Sequence, residues 1–182
     1  MPSPIAHSIS GYVIFRIFSI NNKVFKFSKK GIYQLFPILF TVFVANAADL
    51  DFILQSLTGK KFHRGLTHSL TFALLFSLLV ALFTRFSSKK INICNQIFWL
   101  CLLLYGSHLL LDFFTSGGDG LQIFWPFNNN FYKSATPIFL SVHHELGIFD
   151  PVHIKFVSFE LFYSVILYCC FVLYTKIWRI NK

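Results

Sequence analysis

The chain has 182 residues, of which 55% are hydrophobic, 19% aromatic and only 13% charged, with a formal net charge of +9. Soluble domains carry about 25% charged residues, and a water-soluble core of this size has no room for 25 Phe side chains, so lipid is the expected solvent. The 16 Lys and Arg sit between apolar runs rather than along a stripe, which argues against nucleic acid and for topology signals and contact with anionic headgroups of membrane lipids.

Five apolar segments follow in chain order. Segment A covers about residues 5–20, B 32–48, C 66–86, D 91–114 and E 154–178. C, D and E approach the ~20 residues that span a hydrocarbon core. A and B are shorter, and tilting or local thinning of the bilayer accommodates such lengths. Each segment must satisfy its own backbone hydrogen bonds in lipid, so helices are expected. No basic region precedes segment A and no small-residue cleavage site follows it, so it is read as a retained helix rather than a signal peptide. The linkers are marked by Lys29-Lys30-Gly31, Thr58-Gly59-Lys60-Lys61 and Ser87-Ser88-Lys89-Lys90, and a longer one runs over residues 115–153. The whole chain, 1–182, is expected to be one all-α, integral membrane helical bundle with four to five transmembrane helices. Cys94, Cys101, Cys169 and Cys170 lie in or beside apolar runs without a C-x-x-C pair, and buried, inert thiols are the expected state.

The loop charges orient the bundle. Lys23, Lys26, Lys29, Lys30, Arg85, Lys89, Lys90, Lys176, Arg179 and Lys182 fall on one side, and Lys60, Lys61, Arg64, Lys133 and Lys155 on the other. The positive-inside rule then puts the N-terminus outside and the C-terminus inside, in a cell inner membrane. On that topology every histidine falls on the outer side: His7, His63, His68, His108, His143, His144 and His153. So do all the acidic residues except Glu160, which lies inside segment E.

Ionisable groups near lipid survive mainly when paired or bound to an ion, and imidazole with carboxylate suits Zn²⁺, Mn²⁺ or Fe²⁺. His108 and Asp112 are four apart and share one helical face. Asp49 and Asp51, two apart, reach one ion only if the backbone leaves the helix there. His63 and His68 diverge by about 140° on a regular helix, so His63 is expected in the loop, with Thr67 or Ser69 near the helix start. Taken singly, each has a plainer reading: His7 as an interfacial residue, Asp49 and Asp51 as turn carboxylates, His108 and Asp112 as a hydrogen-bonded pair, His143 and His144 as solvated loop histidines. Their joint placement on one side favours a metal site at that membrane face.

The stretch His63-Arg64-Gly65-Leu66-Thr67-His68-Ser69 resembles the H-R-G-x-T-H-S signature of the YdjM-like membrane-bound metal-dependent hydrolases. An N-terminal His (His7), an Asp-x-Asp (Asp49-Leu50-Asp51), an H-x-x-x-D (His108 to Asp112), Thr115 with a Gly-rich turn, and Trp125-Pro126 follow the same pattern. The resemblance covers Met1 to about Phe127. Ala48 stands where the family usually has Pro, and His143, His144 and Glu145 lie beyond the resemblance. More distantly, the order His, Asp, His, His-x-x-x-Asp is similar to that of the all-helical zinc-dependent phospholipases C.

The resemblance implies metal-dependent hydrolysis. His7, Asp49, Asp51, His63, His68, His108 and Asp112 are the candidate metal ligands, enough for two ions with a bridging carboxylate, and zinc is the first expectation. Arg64 and Asp51 are the candidate catalytic residues, Arg64 because its planar fork suits an oxyanion. The plainer reading of Arg64 is a topology or lipid anchor. Amides of residues 115–120 form a candidate second anion nest, and Trp125 and Phe127 candidate headgroup anchors. The expected substrate is a lipid or lipid-linked phosphoester. The competing expectations are a metal carrier, which needs ligands near the bilayer midplane, and a non-catalytic protein stapled by its metal.

Overall fold

The computed structural model of the chain describes residues 2–22, 35–59, 63–87, 90–140 and 151–180. The loop cations Lys23, Lys26, Lys29, Lys30, Lys60, Lys61, Lys89 and Lys182, and the candidates His143, His144, Glu145 and Asp150, lie outside the described residues. Among the described residues six helices appear: α1 Pro4–Asn21, α2 Leu35–Ala45, α3 Asp51–Thr58, α4 Leu70–Ser87, α5 Ile91–Phe113 and α6 Val152–Ile180. Two 3-10 turns, Ala47–Leu50 and Leu66–His68, precede α3 and α4. No strand occurs among the described residues, only the isolated bridges of Thr115 with Phe139 and Leu121 with Tyr132.

Among the described residues two helices are long and apolar enough to cross a membrane, Ile91–Phe113 and His153–Ile180, and a third span exists if the bent pair Leu35–Ala45 and Ala47–Thr58 is counted as one. Five full spans were the upper expectation. α1 and α4 are apolar but have 18 residues each, about 27 Å at 1.5 Å per residue. Segment C falls short of its expected length because its first residues form the 3-10 turn instead of helix. Segment B is broken by a 65° bend. Asn46 ends α2 there: its side-chain amide donates to Val42 O at 2.7 Å and to Ser8 Oγ at 3.1 Å, competing with the next turn of helix. The chain then continues sideways as α3, a helix that the hydrophobic pattern of segment B does not contain. Gly59 closes α3 at φ 67°, its N–H bonding Gln55 O, a left-handed cap that glycine adopts without a Cβ clash.

The bundle core is formed by Phe15 of α1, Val44 of α2 and Ile97, Leu100, Cys101 and Leu104 of α5. Gly11 sits where a Cβ would meet the Ala45 Cβ at 2.7 Å, so α1 and α2 cross in close backbone contact, as small residues permit in membrane bundles. A second cluster of Ala47, Ala48, Ala73, Tyr105 and Leu109 underlies the bend. Ala48 is fully buried there, and the 3-10 turn forms without the proline the family pattern favours.

α6 holds α1 from the other side. Ser3 caps α1, accepting the Ile5 N–H on its Oγ at 3.1 Å, while its own N–H and hydroxyl donate to the carboxylate of Glu160. Ser10 and Tyr163 hydroxyls meet at 2.8 Å. The outer surfaces of α4 and α6 expose Leu75, Leu79, Phe83, Leu161, Phe162 and Val165, an apolar mantle suited to hydrocarbon and costly in water. Of the cysteines expected to be buried, Cys101 is; Cys94 is half-buried, and Cys169 and Cys170 face outward on α6.

Candidate metal centre

Ends of α1, α2, α4 and α5 converge at one end of the bundle. His108 and Asp112 project from one face of α5, as their spacing predicts, and are 1% exposed. Asp49 lies in the 3-10 turn after Asn46, and His68 ends the 3-10 turn before α4. His63 lies in the preceding turn, outside any helix, as expected. Ser69 Oγ accepts the Phe72 N–H at 3.1 Å, capping α4.

The imidazoles of His108 and His68 are each held by Nδ1. His108 Nδ1 lies 2.8 Å from Ala45 O, and a carbonyl only accepts, so Nδ1 carries the proton and the Nε2 lone pair faces inward. His68 Nδ1 lies 3.2 Å from Asp51 Oδ2, which fixes the same tautomer. The two Nε2 atoms then face each other at 3.4 Å. Asp49 Oδ1 stands 3.5 Å from both, and Asp112 Oδ2 stands 3.3 Å from His68 Nε2 and 3.6 Å from His108 Nε2.

These separations suit a metal-binding group. They are too long for good hydrogen bonds, yet a tetrahedron with metal–ligand bonds of ~2.0–2.1 Å has edges of about 3.3–3.4 Å. Two inward lone pairs and two carboxylate oxygens also repel one another unless a cation lies between them. Both oxygens of Asp49 and of Asp112 are buried without a hydrogen-bond partner, a cost that native structures rarely carry unexplained. The donor set fits a divalent ion. Asp49, His68, His108 and Asp112 can hold a metal, each offering one atom within 4.8 Å of the others.

The remaining candidates take other places. Asp51, 3% exposed, lies behind His68: its Oδ1 is 2.8 Å from His63 Nδ1, and Thr67 Oγ donates to its Oδ2. Asp51, His63 and His68 are also close enough to share an ion, but 2.8 Å is hydrogen-bond length, and this network orients His68 as carboxylates behind metal-bound histidines do. His7 is fully buried and stacks on His108 with ring centroids 3.8 Å apart. Its Nε2 is 3.5 Å from Asp112 Oδ1, the oxygen turned away from His68.

Arg64 adopts φ 67°, a left-handed conformation uncommon for a residue with a Cβ. Its Nη1 donates to Gly117 O at 3.1 Å, and its own carbonyl accepts the Gln122 N–H at 3.1 Å. Gly118, at φ 66°, packs so tightly that a Cβ would lie 2.5 Å from Arg64 Nη1. Lys133 Nζ donates to Gly118 O at 3.1 Å. The loop expected to offer amides to an anion thus presents carbonyls to two cations, and Arg64 ties this loop to the signature turn. Phe127 is 89% exposed at its tip, and Trp125 is half-buried.

Sequence reasoning missed three supports of the site: the Ala45 carbonyl, Thr67 bridging to Asp51, and Tyr105, whose hydroxyl donates to Thr67 O at 2.8 Å. Thr67 was visible as part of the signature. The Ala45 carbonyl carries no signal in a side-chain pattern.

The chain matches the family model described as YdjM inner membrane protein over residues 1–179, which extends through α6 and beyond the Phe127 limit of the motif resemblance. No curated protein matches it, and no solved structure does.

Proposed function

This chain belongs to the YdjM inner membrane protein family, and we propose that it is a membrane-bound metal-dependent hydrolase acting on a phosphoester of a lipid or lipid-linked substrate. The observation that carries the reading is the ring of two Nε2 atoms and two carboxylate oxygens at tetrahedral-edge separations of 3.3–3.6 Å. A divalent ion, zinc by donor set and edge length, would supply Lewis acidity and lower the pKa of a bound water to about 7. His108 and His68 present neutral nitrogens to it because Ala45 O and Asp51 hold their Nδ1 protons. Thr67 and His63 steady Asp51 in turn.

Position supports the substrate class. The cluster lies at one end of an apolar bundle beside a loop whose exposed Phe124, Phe127 and Phe131 suit the headgroup level. A lipid phosphoester reaches that level without leaving the bilayer. The bias of Lys and Arg among the loops supports a non-cytoplasmic side for this face.

A second reading is favoured by one observation. Four protein donors complete a tetrahedron, the pattern of structural zinc sites, whereas catalytic sites keep a position open. A non-catalytic protein stapled by its ion is therefore the rival. The test is metal-dependent release of phosphate or headgroup from lipid phosphoesters by detergent-purified protein, with His108→Ala and Asp112→Ala as controls. The hydrolase reading expects turnover that chelation abolishes and both variants lack. A metal-loaded parent protein without turnover on any phosphoester class leaves the structural role.

A further inference from the structure

We infer that the centre takes a second divalent ion, bound between His7 Nε2 and Asp112 Oδ1, with Asp112 bridging the two ions. The inference rests on the four-donor ion proposed above. It starts from atoms that ion leaves unused. The first ion takes Oδ2 of Asp112 and Oδ1 of Asp49, and the other oxygen of each carboxylate remains buried with no hydrogen-bond partner. His7 is 0% exposed, yet both its ring nitrogens are also without a partner.

The geometry puts two of these orphans together. His7 Nε2 and Asp112 Oδ1 are 3.5 Å apart, longer than a good hydrogen bond and the same spacing as the ligand pairs of the first ion. A hydrogen bond is the expected link between a ligand carboxylate and a histidine that merely steadies it, and the separation does not provide one. The plane of the His7 ring is held by its stack on His108, with an interplanar angle of 17°. A bridging carboxylate with one oxygen on each ion is a standard way to hold paired metals in hydrolytic sites.

The second ion also answers a shortage of the first. With four protein donors the first ion is closed, while an ion held by His7 and Asp112 keeps positions for water and for a substrate oxygen. His7, in the first turns of α1, thereby becomes the ligand that gives the centre its open coordination. Ser3, bound to Glu160 one turn earlier, holds that end of α1 in place.

The experiment is equilibrium dialysis of the full-length, detergent-solubilised protein against zinc, followed by elemental analysis per chain. The wild type should bind two ions and His7→Phe one, since Phe keeps a ring against His108 but offers no nitrogen. His7→Gln, a second replacement that also lacks imidazole, should agree with it. His108→Ala should weaken binding of the first ion and of the bridged pair together. One ion in both wild type and His7→Phe overturns the second site while leaving the first intact. Two ions in both overturns the assignment to His7, and no ion in the wild type overturns the primary site itself.

Discussion

Asp51 decides how firmly His68 offers its nitrogen. The carboxylate lies 3.2 Å from His68 Nδ1 and 2.8 Å from His63 Nδ1, so one buried acid fixes the ring that faces the ion. Removing such an outer partner lowers metal affinity or activity by about 10–100-fold. Asp51→Asn should therefore weaken zinc binding by about that factor, read by competition with a chromophoric chelator, while the helical circular dichroism stays unchanged. An unaltered affinity would mean that His68 is oriented by something else. Asp51 is also where the sequence was least able to speak. Its type and spacing marked it as a ligand beside Asp49, because ligands and the groups behind them are chemically alike. The structure adds that Asp51 Oδ2 lies on the Nδ1 side of His68, while Asp51, His63 and His68 also stand close enough to share an ion. Arg64 is similar: an oxyanion partner by side-chain chemistry, it spends its Nη1 on Gly117 O, a contact no pattern announces.

Helical elements were largely legible, because five apolar runs bounded by charged turns leave little choice in lipid. The boundaries that failed are those set by single polar contacts. Segment B looked continuous to residue 48, but the Asn46 amide turns back on Val42 O and the helix stops, creating the turn that aims Asp49 inward. Segment C began four residues later as α-helix than hydropathy suggests, since Leu66–His68 forms a 3-10 turn. Helix packing makes a paired prediction from two glycines. A Cβ on Gly11 would meet the Ala45 Cβ at 2.7 Å, whereas one on Gly106 meets nothing within 4 Å. Gly11→Ala should destabilise by about 1–3 kcal/mol through overpacking. Gly106→Ala should be neutral or stabilising by up to about 1 kcal/mol, because alanine favours helix. Thermal midpoints in one detergent compare the two, and equal shifts would show that α1 and α2 do not cross at Gly11.

At the scale of the whole molecule the site is a junction. Asp49, His68, His108 and Asp112 belong to separate parts of the bundle, and an ion among them would tie the bend after α2, the start of α4 and the end of α5. A ligand that binds only the folded state stabilises it by about 2.7 kcal/mol at a hundredfold excess over its Kd. Chelation should therefore lower the thermal midpoint of the parent by several degrees and leave His108→Ala, already without its ion, unmoved. A parent indifferent to chelation would argue that the cluster is not a junction at all. The convergence itself was readable, since the histidines and all but one acid fall on one side of an alternating topology; which four atoms would meet was not, because that depends on rotamers and helix crossing. The bend at Asn46 has one more consequence, and it concerns biosynthesis. Asp49 and His68 are synthesised before His108 and Asp112, so the four side chains can meet only once α5 lies against the bend and the start of α4.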